Sequence, residues 1–286
     1  MPAGRRHGPR RRRGRGFGPG RALREGAGAF RRDGSAVSGL REGTVARIGR
    51  QAGPAEGDRT WSADPYSHAL RTGQGPLFLR RADGWLLPLD VERWCAEADG
   101  VDLEVLRRCE GAVLDVGCGP GRLVAALGRQ GRRVLGVDVS AVAVDRTRRL
   151  GGPALRRSVF ERLPGEGRWG TVLLIDGNVG IGGDVAALLD RMAQLLAPGG
   201  LLVVETVPEL DLDERVRVHV TDARGATGVT FPWARLGTPA LLRYAERAGW
   251  CAVEQWTAGG RSFTALRLQS PSDASHTGRS PATQSV

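Results

Sequence analysis

The chain has 286 residues, 41% of them hydrophobic, and a formal net charge of +11, which allows one large domain or two small ones around a real core. No apolar run approaches the ~18–20 residues that span a bilayer, which argues against a membrane protein. The four Cys and four His show no C-x-x-C or H-x-x-x-H spacing, which argues against a zinc centre or a disulfide framework and fits a reducing cytoplasm.

The charge is unevenly placed. Residues 1–60 hold fifteen Arg against five acids, and residues 61–286 hold 27 Arg against 26 acids. All 42 basic residues are Arg, a bias that a GC-rich coding sequence produces and that lowers the weight of any single Arg as a functional signal. Residues 1–60 contain too few large apolar side chains to offset the entropy of ordering them and are expected to be disordered. Arg10-Arg-Arg-Arg13 is followed by no apolar stretch of the length an export signal needs. The tail is open to three readings: a solvated charge run, an upstream extension from a misassigned start, or an arm attracted to RNA or a membrane surface. The near-neutral remainder counts against nucleic acid.

Organised sequence begins near Trp61. In Gly75–Pro88, two apolar runs flank Ala82-Asp-Gly84, the pattern of a β-hairpin. Asp90 is expected to cap a short helix through Trp94, and Asp102 another through Cys109. Residues 61–110 thus read as a hairpin and helices covering a core. From 111 to 269 strand and helix patterns alternate. Strands are expected at Ala112–Val116, Arg133–Val137, Ala154–Arg157, Thr171–Asp176 and Leu201–Thr206. Helices are expected at Gly121–Arg129, Ser140–Leu150 and Asp184–Leu196. Such repetition implies an α/β, doubly wound, mostly parallel sheet with helices on both faces. Thr238 is expected to cap a further helix running to about Arg247, and Trp250–Trp256 and Ser262–Leu268 to form a closing antiparallel hairpin. Residues 270–286 are Ser/Thr/Pro-rich and expected to be disordered.

The chemistry centres on Asp115-Val-Gly-Cys-Gly-Pro-Gly121, between a strand and a helix. Gly117, Gly119 and Gly121 let backbone approach a ligand, and the helix start offers free N–H groups to an anion. Leu135-Gly-Val-Asp138 ends the second strand with an acid suited to a ribose diol. A nicotinamide enzyme uses G-x-G-x-x-G; here the third Gly falls one position early. Asp115, two residues before the first Gly, favours a ligand with an amino group over a pyrophosphate.

The run Val113-Leu-Asp-Val-Gly-Cys-Gly-Pro-Gly121 resembles the first motif of class I S-adenosylmethionine (SAM)-dependent methyltransferases. The resemblance continues through Asp138, Asp176-Gly-Asn178 and Leu195–Val204, and covers roughly residues 111–268. It implies a Rossmann-like seven-stranded sheet and SAM as cofactor. Gly117, Gly119 and Gly121 then form the cofactor loop, where backbone at Gly117 and Gly119 contacts the methionine end. Asp115 orders that loop and helps receive the ammonium, and Asp138 with Val139 holds the ribose. Ser158, Val159 and Phe160 lie at the adenine. Ser158 stands where the family usually carries an Asp, so the ring contacts depart from the pattern.

The fourth strand's loop, Asp176–Asp184, lies beside the transferable methyl in that family, so Asp176 and Asn178 are candidates to touch cofactor or acceptor. Residues 207–237 read as an insertion that selects substrate. Arg217 and His219 share one face of an alternating strand there and suggest an anion clamp and a base, against the plainer reading of surface residues. His219 and Asn178 are the catalytic candidates. The leading function is methyl transfer to a small molecule. A non-catalytic SAM-binding regulator, or an RNA or protein methyltransferase using the basic arm, are the alternatives.

Overall fold

The computed structural model describes residues 64–208 and 211–269; the tails expected to be disordered, 1–60 and 270–286, lie outside the described residues. A helix that the sequence pattern did not announce, α1 (Asp64–Thr72), precedes the hairpin, with Tyr66, Ala69 and Leu70 buried. β1 (Leu77–Arg81) and β2 (Leu86–Leu89) pair as the expected hairpin. Asp90 caps α2 (Val91–Cys95), accepting a bond from Arg93 N at 3.2 Å. The cap of α3 (Gly100–Arg108) is Asp99 rather than Asp102. Asp102 is the third residue of that helix and its carboxylate accepts from Asp99 N, closing a capping box.

The strand–helix alternation then runs as β3 (Val113–Val116), α4 (Arg122–Arg129), β4 (Val134–Asp138), α5 (Ala141–Arg149), β5 (Ala154–Arg156), β6 (Trp169–Leu174), α6 (Val185–Leu195) and β7 (Leu196–Thr206). Ser140 and Asp184 cap α5 and α6. After β8 (Asp213–Asp222) and β9 (Phe231–Leu236) come α7 (Thr238–Arg247), β10 (Trp250–Ala258) and β11 (Arg261–Leu268). The residue before α7, Gly237, takes the cap position expected for Thr238.

Seven strands form one sheet in the order β10-β11-β7-β6-β3-β4-β5. β3 to β7 pair in parallel, and β11 joins β7 antiparallel as half of the terminal hairpin. The fold class is therefore the expected one. Its central strands are apolar on both faces because helices cover both: β3 is buried throughout. One face packs Leu114, Leu174 and Leu202 with α6 and α7. The other packs Val113, Leu173 and Val203 with α3 and α4.

The hairpin β1–β2 and the insertion β8–β9 make a second sheet, in the order β2-β1-β8-β9. Two segments more than a hundred residues apart, each read separately from sequence, share one ladder. Leu79 faces Val220 across β1 and β8, and Val218 faces Phe231 across β8 and β9. Their apolar face packs with α1, α2 and Ala143 of α5 as a third core cluster.

This pairing makes a stability prediction. Leu79→Ala should cost about 2–5 kcal/mol as a buried truncation. With Val220→Ala the double variant should fall short of the sum by about 0.5–3 kcal/mol, since the two share a contact. Urea unfolding of the four proteins of the cycle reads this directly, and strict additivity would contradict the β1–β8 register.

Candidate ligand site at the edge of the parallel sheet

A cavity of about 920 Å³ lies between the carboxyl ends of the parallel strands and the second sheet. In an open parallel sheet this edge is where strands diverge and ligands bind. Of the residues expected at the site, Gly117, Gly119, Asp138, Val139, Ser158, Val159, Phe160, Asp176 and Asn178 line it. Asp115 and Gly121 do not. Nor does His219, which faces Arg80 across the β1–β8 ladder, between the buried Val218 and Val220 that point the other way.

Asp138 organises one end of the cavity. Its Oδ2 accepts from Gly119 N at 2.9 Å and its Oδ1 from Ser140 N at 2.8 Å. The carboxylate thus ties the glycine loop to the start of α5. Burial pushes it up to about 6, against the pull of these backbone donors. Lone pairs remain on both oxygens for hydroxyl donors, since each carboxylate oxygen has two acceptor sites.

The three glycines serve different ends. A Cβ on Gly121, which sits at φ +91°, would strike Thr147 of α5. A Cβ on Gly117 would come within 2.6 Å of Asn178 Nδ2. Only Gly119 turns a bare face to open space, with Tyr66 Oη at 3.9 Å the one atom near its missing Cβ. Two of the three are therefore required by packing within the protein. Asn178 acts on this loop too: its Nδ2 donates to the carbonyls of Val116 and Gly117 at 2.9 and 3.0 Å. Behind the loop, Asp115 is 2% exposed, and its Oδ2 has no partner among the described residues. Burial pushes this carboxyl up to about 7.

Asp176 has a setting that the sequence did not reveal. It takes a left-handed backbone, φ +59°, unusual for a residue other than Gly. Its Oδ1 meets Arg93 at 2.5 Å and its Oδ2 meets Arg122 at 2.6 Å, with Arg261 at 3.4 Å. Its backbone N donates to Glu205 at 2.6 Å. Arg122 grips Asp102 with two bonds, 2.7 and 3.0 Å. Arg261 grips Glu205 with two, 2.7 and 2.8 Å, and reaches Asp102 at 2.9 Å. Three guanidiniums from α2, α4 and β11 thus meet three carboxylates from α3, the loop after β6 and β7 in one cluster, and Arg93 also holds Asp90 at 3.1 Å. Burial opposes ionisation of Asp102, but Arg122 and Arg261 outweigh it and hold the carboxyl at about 2. Burial likewise opposes ionisation of Asp176, and its arginines keep it below the usual carboxylate range.

These arrangements limit the chemistry. Asp176 stays ionised with both oxygens committed, so it is a poor proton acceptor. Tyr66 borders the cavity, but burial first, and then the charge of Asp138, keep its phenol protonated. No His is among the residues lining the cavity. Among the described residues no cluster of His, Cys, Asp and Glu suits a metal ion. Arg93, Arg122, Arg261, Asp102 and Glu205 were missed from sequence. Arg122, directly after the glycine loop, was the one with a positional signal.

A family model described as a methyltransferase domain matches residues 90–255. The ubiquinone biosynthesis O-methyltransferase of Bradyrhizobium sp. (strain ORS 278) is 36% identical over 100 residues, 33% of this chain and 39% of that protein. That of Chelativorans sp. (strain BNC1) is 31% identical over 100 residues, 33% of this chain and 40% of its own. The chain thus spans about two fifths of the length of these curated relatives. Among solved structures, a SAM-dependent methyltransferase from Bacteroides fragilis in complex with S-adenosyl-L-homocysteine superposes with a TM-score of 0.61. It is 20% identical and covers 74% of this chain and 95% of its own; the likeness is one of fold.

The depressed carboxyls set an acid limit on stability. Asp102 titrates near 3.8 when unfolded and at about 2 when folded. Its contribution is therefore present above pH 4 and lost as pH falls through 2, on the order of 2 kcal/mol. Asp115 and Asp138, raised by burial, act with opposite sign and relieve a cost as pH falls from 7 to 4. Urea midpoints of the native chain should drop between pH 4 and 2, and Asp102→Asn should flatten that drop.

Proposed function

The chain belongs to the methyltransferase-domain family, and from that premise we propose that it transfers a methyl group from SAM to a small-molecule acceptor. The observation that carries this reading is Asp138: a carboxylate at the end of β4, locked to Gly119 N and Ser140 N, facing a cavity beside a glycine with open space over it. The residues fit a nucleoside joined to an amino acid. Asp138 and Val139 hold the ribose hydroxyls, Ser158, Val159 and Phe160 border the adenine, and the backbone of Gly117 and Gly119 meets the methionine end. Asp115, with its unpartnered oxygen behind the loop, contributes negative charge toward the ammonium rather than a direct contact.

Bound SAM supplies a methyl carried on a sulfonium, which leaves as a neutral thioether when the acceptor takes the methyl. The protein's part is alignment and exclusion of water. Asn178 keeps the loop in register, and the cluster around Asp176 fixes the floor of the cavity. No described helix is long and apolar enough to cross a membrane, and all four cysteines are free thiols. Work in a reducing cytoplasm is consistent with this.

Calorimetry with S-adenosylhomocysteine (SAH) tests the reading. Binding by the full chain is expected, and uptake of a nicotinamide dinucleotide in its place would overturn it. Because Asp138 sits at about 6 without ligand and accepts from two hydroxyls most strongly when ionised, affinity should be level above pH 7. It should weaken as pH drops through 6, by up to about tenfold per unit. Asp138→Asn should lose roughly 10–100-fold at pH 8, the worth of charge-assisted bonds, and should flatten the pH profile.

A further inference from the structure

We propose that the part of the cavity beneath the second sheet takes an uncharged aromatic acceptor; the assignment rests on the methyl-transfer reading above and names its substrate class. The chain holds seven Trp, two Tyr and six Phe, and five of these, Tyr66, Trp94, Phe160, Phe231 and Trp233, line this one cavity. Leu79, Leu87 and Leu89 of the β1–β2 hairpin extend the apolar wall. Phe231 and Trp233 meet edge to face, with centroids 6.1 Å apart. Walls of this kind, apolar and aromatic with few polar groups, hold ring systems. They also stand beside the cofactor loop. A Cβ on Gly180 would come within 2.7 Å of the Trp233 indole, so that ring lies against the turn after Asn178, and Asn178 bonds the carbonyl of Gly117. Trp94 follows Arg93, whose guanidinium holds Asp176 at 2.5 Å. The cavity's 920 Å³ is near the top of the roughly 300–1,000 Å³ typical of ligand pockets, enough for a nucleoside and a further ring system.

The charges around this wall are matched or turned elsewhere. Arg122, Asp176 and Glu205 border the cavity, and all three are paired within the arginine–carboxylate cluster. Arg235 meets Glu214 at 3.2 Å and lies 4.9 Å from the centre of the Trp85 ring. Asp138, Arg156, Arg157 and Glu161 belong to the nucleoside end. There Arg157 lies 3.7 Å from Glu161, and Arg156 gives its Nε to the carbonyl of Val139. Along β8, Val216 faces Trp233, Val218 faces Phe231 and Val220 faces Leu79 across the ladders. Arg217 and His219 alternate with those valines and so stand on the opposite face of the second sheet. An acceptor beneath that sheet therefore meets rings and leucines with no unmatched charge among them. An ion entering there gives up its hydration without gaining a partner of opposite sign, which is costly, whereas a neutral ring gives up little.

The experiment uses the full chain saturated with SAH, which carries no sulfonium, so that the wall alone sets the preference. Calorimetry compares four probes of one skeleton: neutral 2-naphthamide, anionic 2-naphthoate, cationic 2-naphthylmethylammonium and the saturated decahydro-2-naphthamide. Naphthamide should bind at least tenfold more tightly than either ion and about threefold to tenfold more tightly than its saturated counterpart. Trp94→Ala should weaken naphthamide by about tenfold. Leu87→Lys places a charge on the wall and should raise naphthoate affinity while SAH affinity, the check on folding, stays unchanged. An ion that binds as tightly as naphthamide, a saturated probe that binds as tightly, or no binding of naphthamide overturns the proposal. So does a Leu87→Lys protein that takes up SAH normally yet gains nothing for naphthoate. Failure of SAH to bind the native chain is a separate result that removes the methyl-transfer reading. The same titrations on the SAH-free protein then still decide whether the chamber prefers an uncharged ring.

Discussion

The arrangement rests on one constraint: three arginines and three carboxylates meet, buried or part-buried, at the carboxyl edge of the sheet and must be paired. Arg122 is 5% exposed and Asp102 1%. An uncompensated charge at that depth costs about 3–5 kcal/mol when its partner is removed. The members come from α2 (Arg93), α3 (Asp102), the start of α4 (Arg122), the loop after β6 (Asp176), the end of β7 (Glu205) and the start of β11 (Arg261). No subset is self-sufficient, so α2, α3 and the terminal hairpin are drawn to the same edge as the glycine loop. The left-handed backbone of Asp176 is tolerated because Arg93, Arg122, Arg261 and the bond to Glu205 define its place.

That cluster builds the floor of the cavity, and the second sheet builds its roof. The loop between is held from two sides: Asn178 bonds its carbonyls, and Asp138 accepts one of its amides. A ligand reaching Gly119 meets backbone already fixed in position. Preorganisation of this kind suits a reaction that needs alignment more than proton transfer.

Much of this was legible in the chain. The glycine run, the acid at Asp138 and the alternation of apolar strands with capped helices are local patterns. They sufficed for the fold class, for the strand–loop–helix around the site and for most of the lining residues. The misassigned cap at Asp102 shows the limit of local reasoning. Asp99 and Asp102 are both good capping residues, and a capping box uses both. The deeper misreading concerns arginine. In a chain whose Lys and Arg positions are all Arg, nothing local separates Arg122 and Arg261, held in ion pairs and largely covered, from those that are merely solvated.

His219 and Arg217 illustrate the same divide. Strand periodicity correctly places both on one face of β8, but whether that face meets a cavity depends on which strands pair with β8. Periodicity carries no information about a partner strand more than a hundred residues away. Sequence by itself determined the parallel sheet, its ligand-binding edge and the carboxylate of Asp138, because each follows from short-range spacing and backbone freedom. Tertiary structure alone decided that β1–β2 and β8–β9 share a sheet, that Asp176 is clamped rather than reactive, and that His219 faces away from the cavity. Those outcomes depend on long-range pairing and on the cost of buried charge, and neither is written in any local stretch of residues.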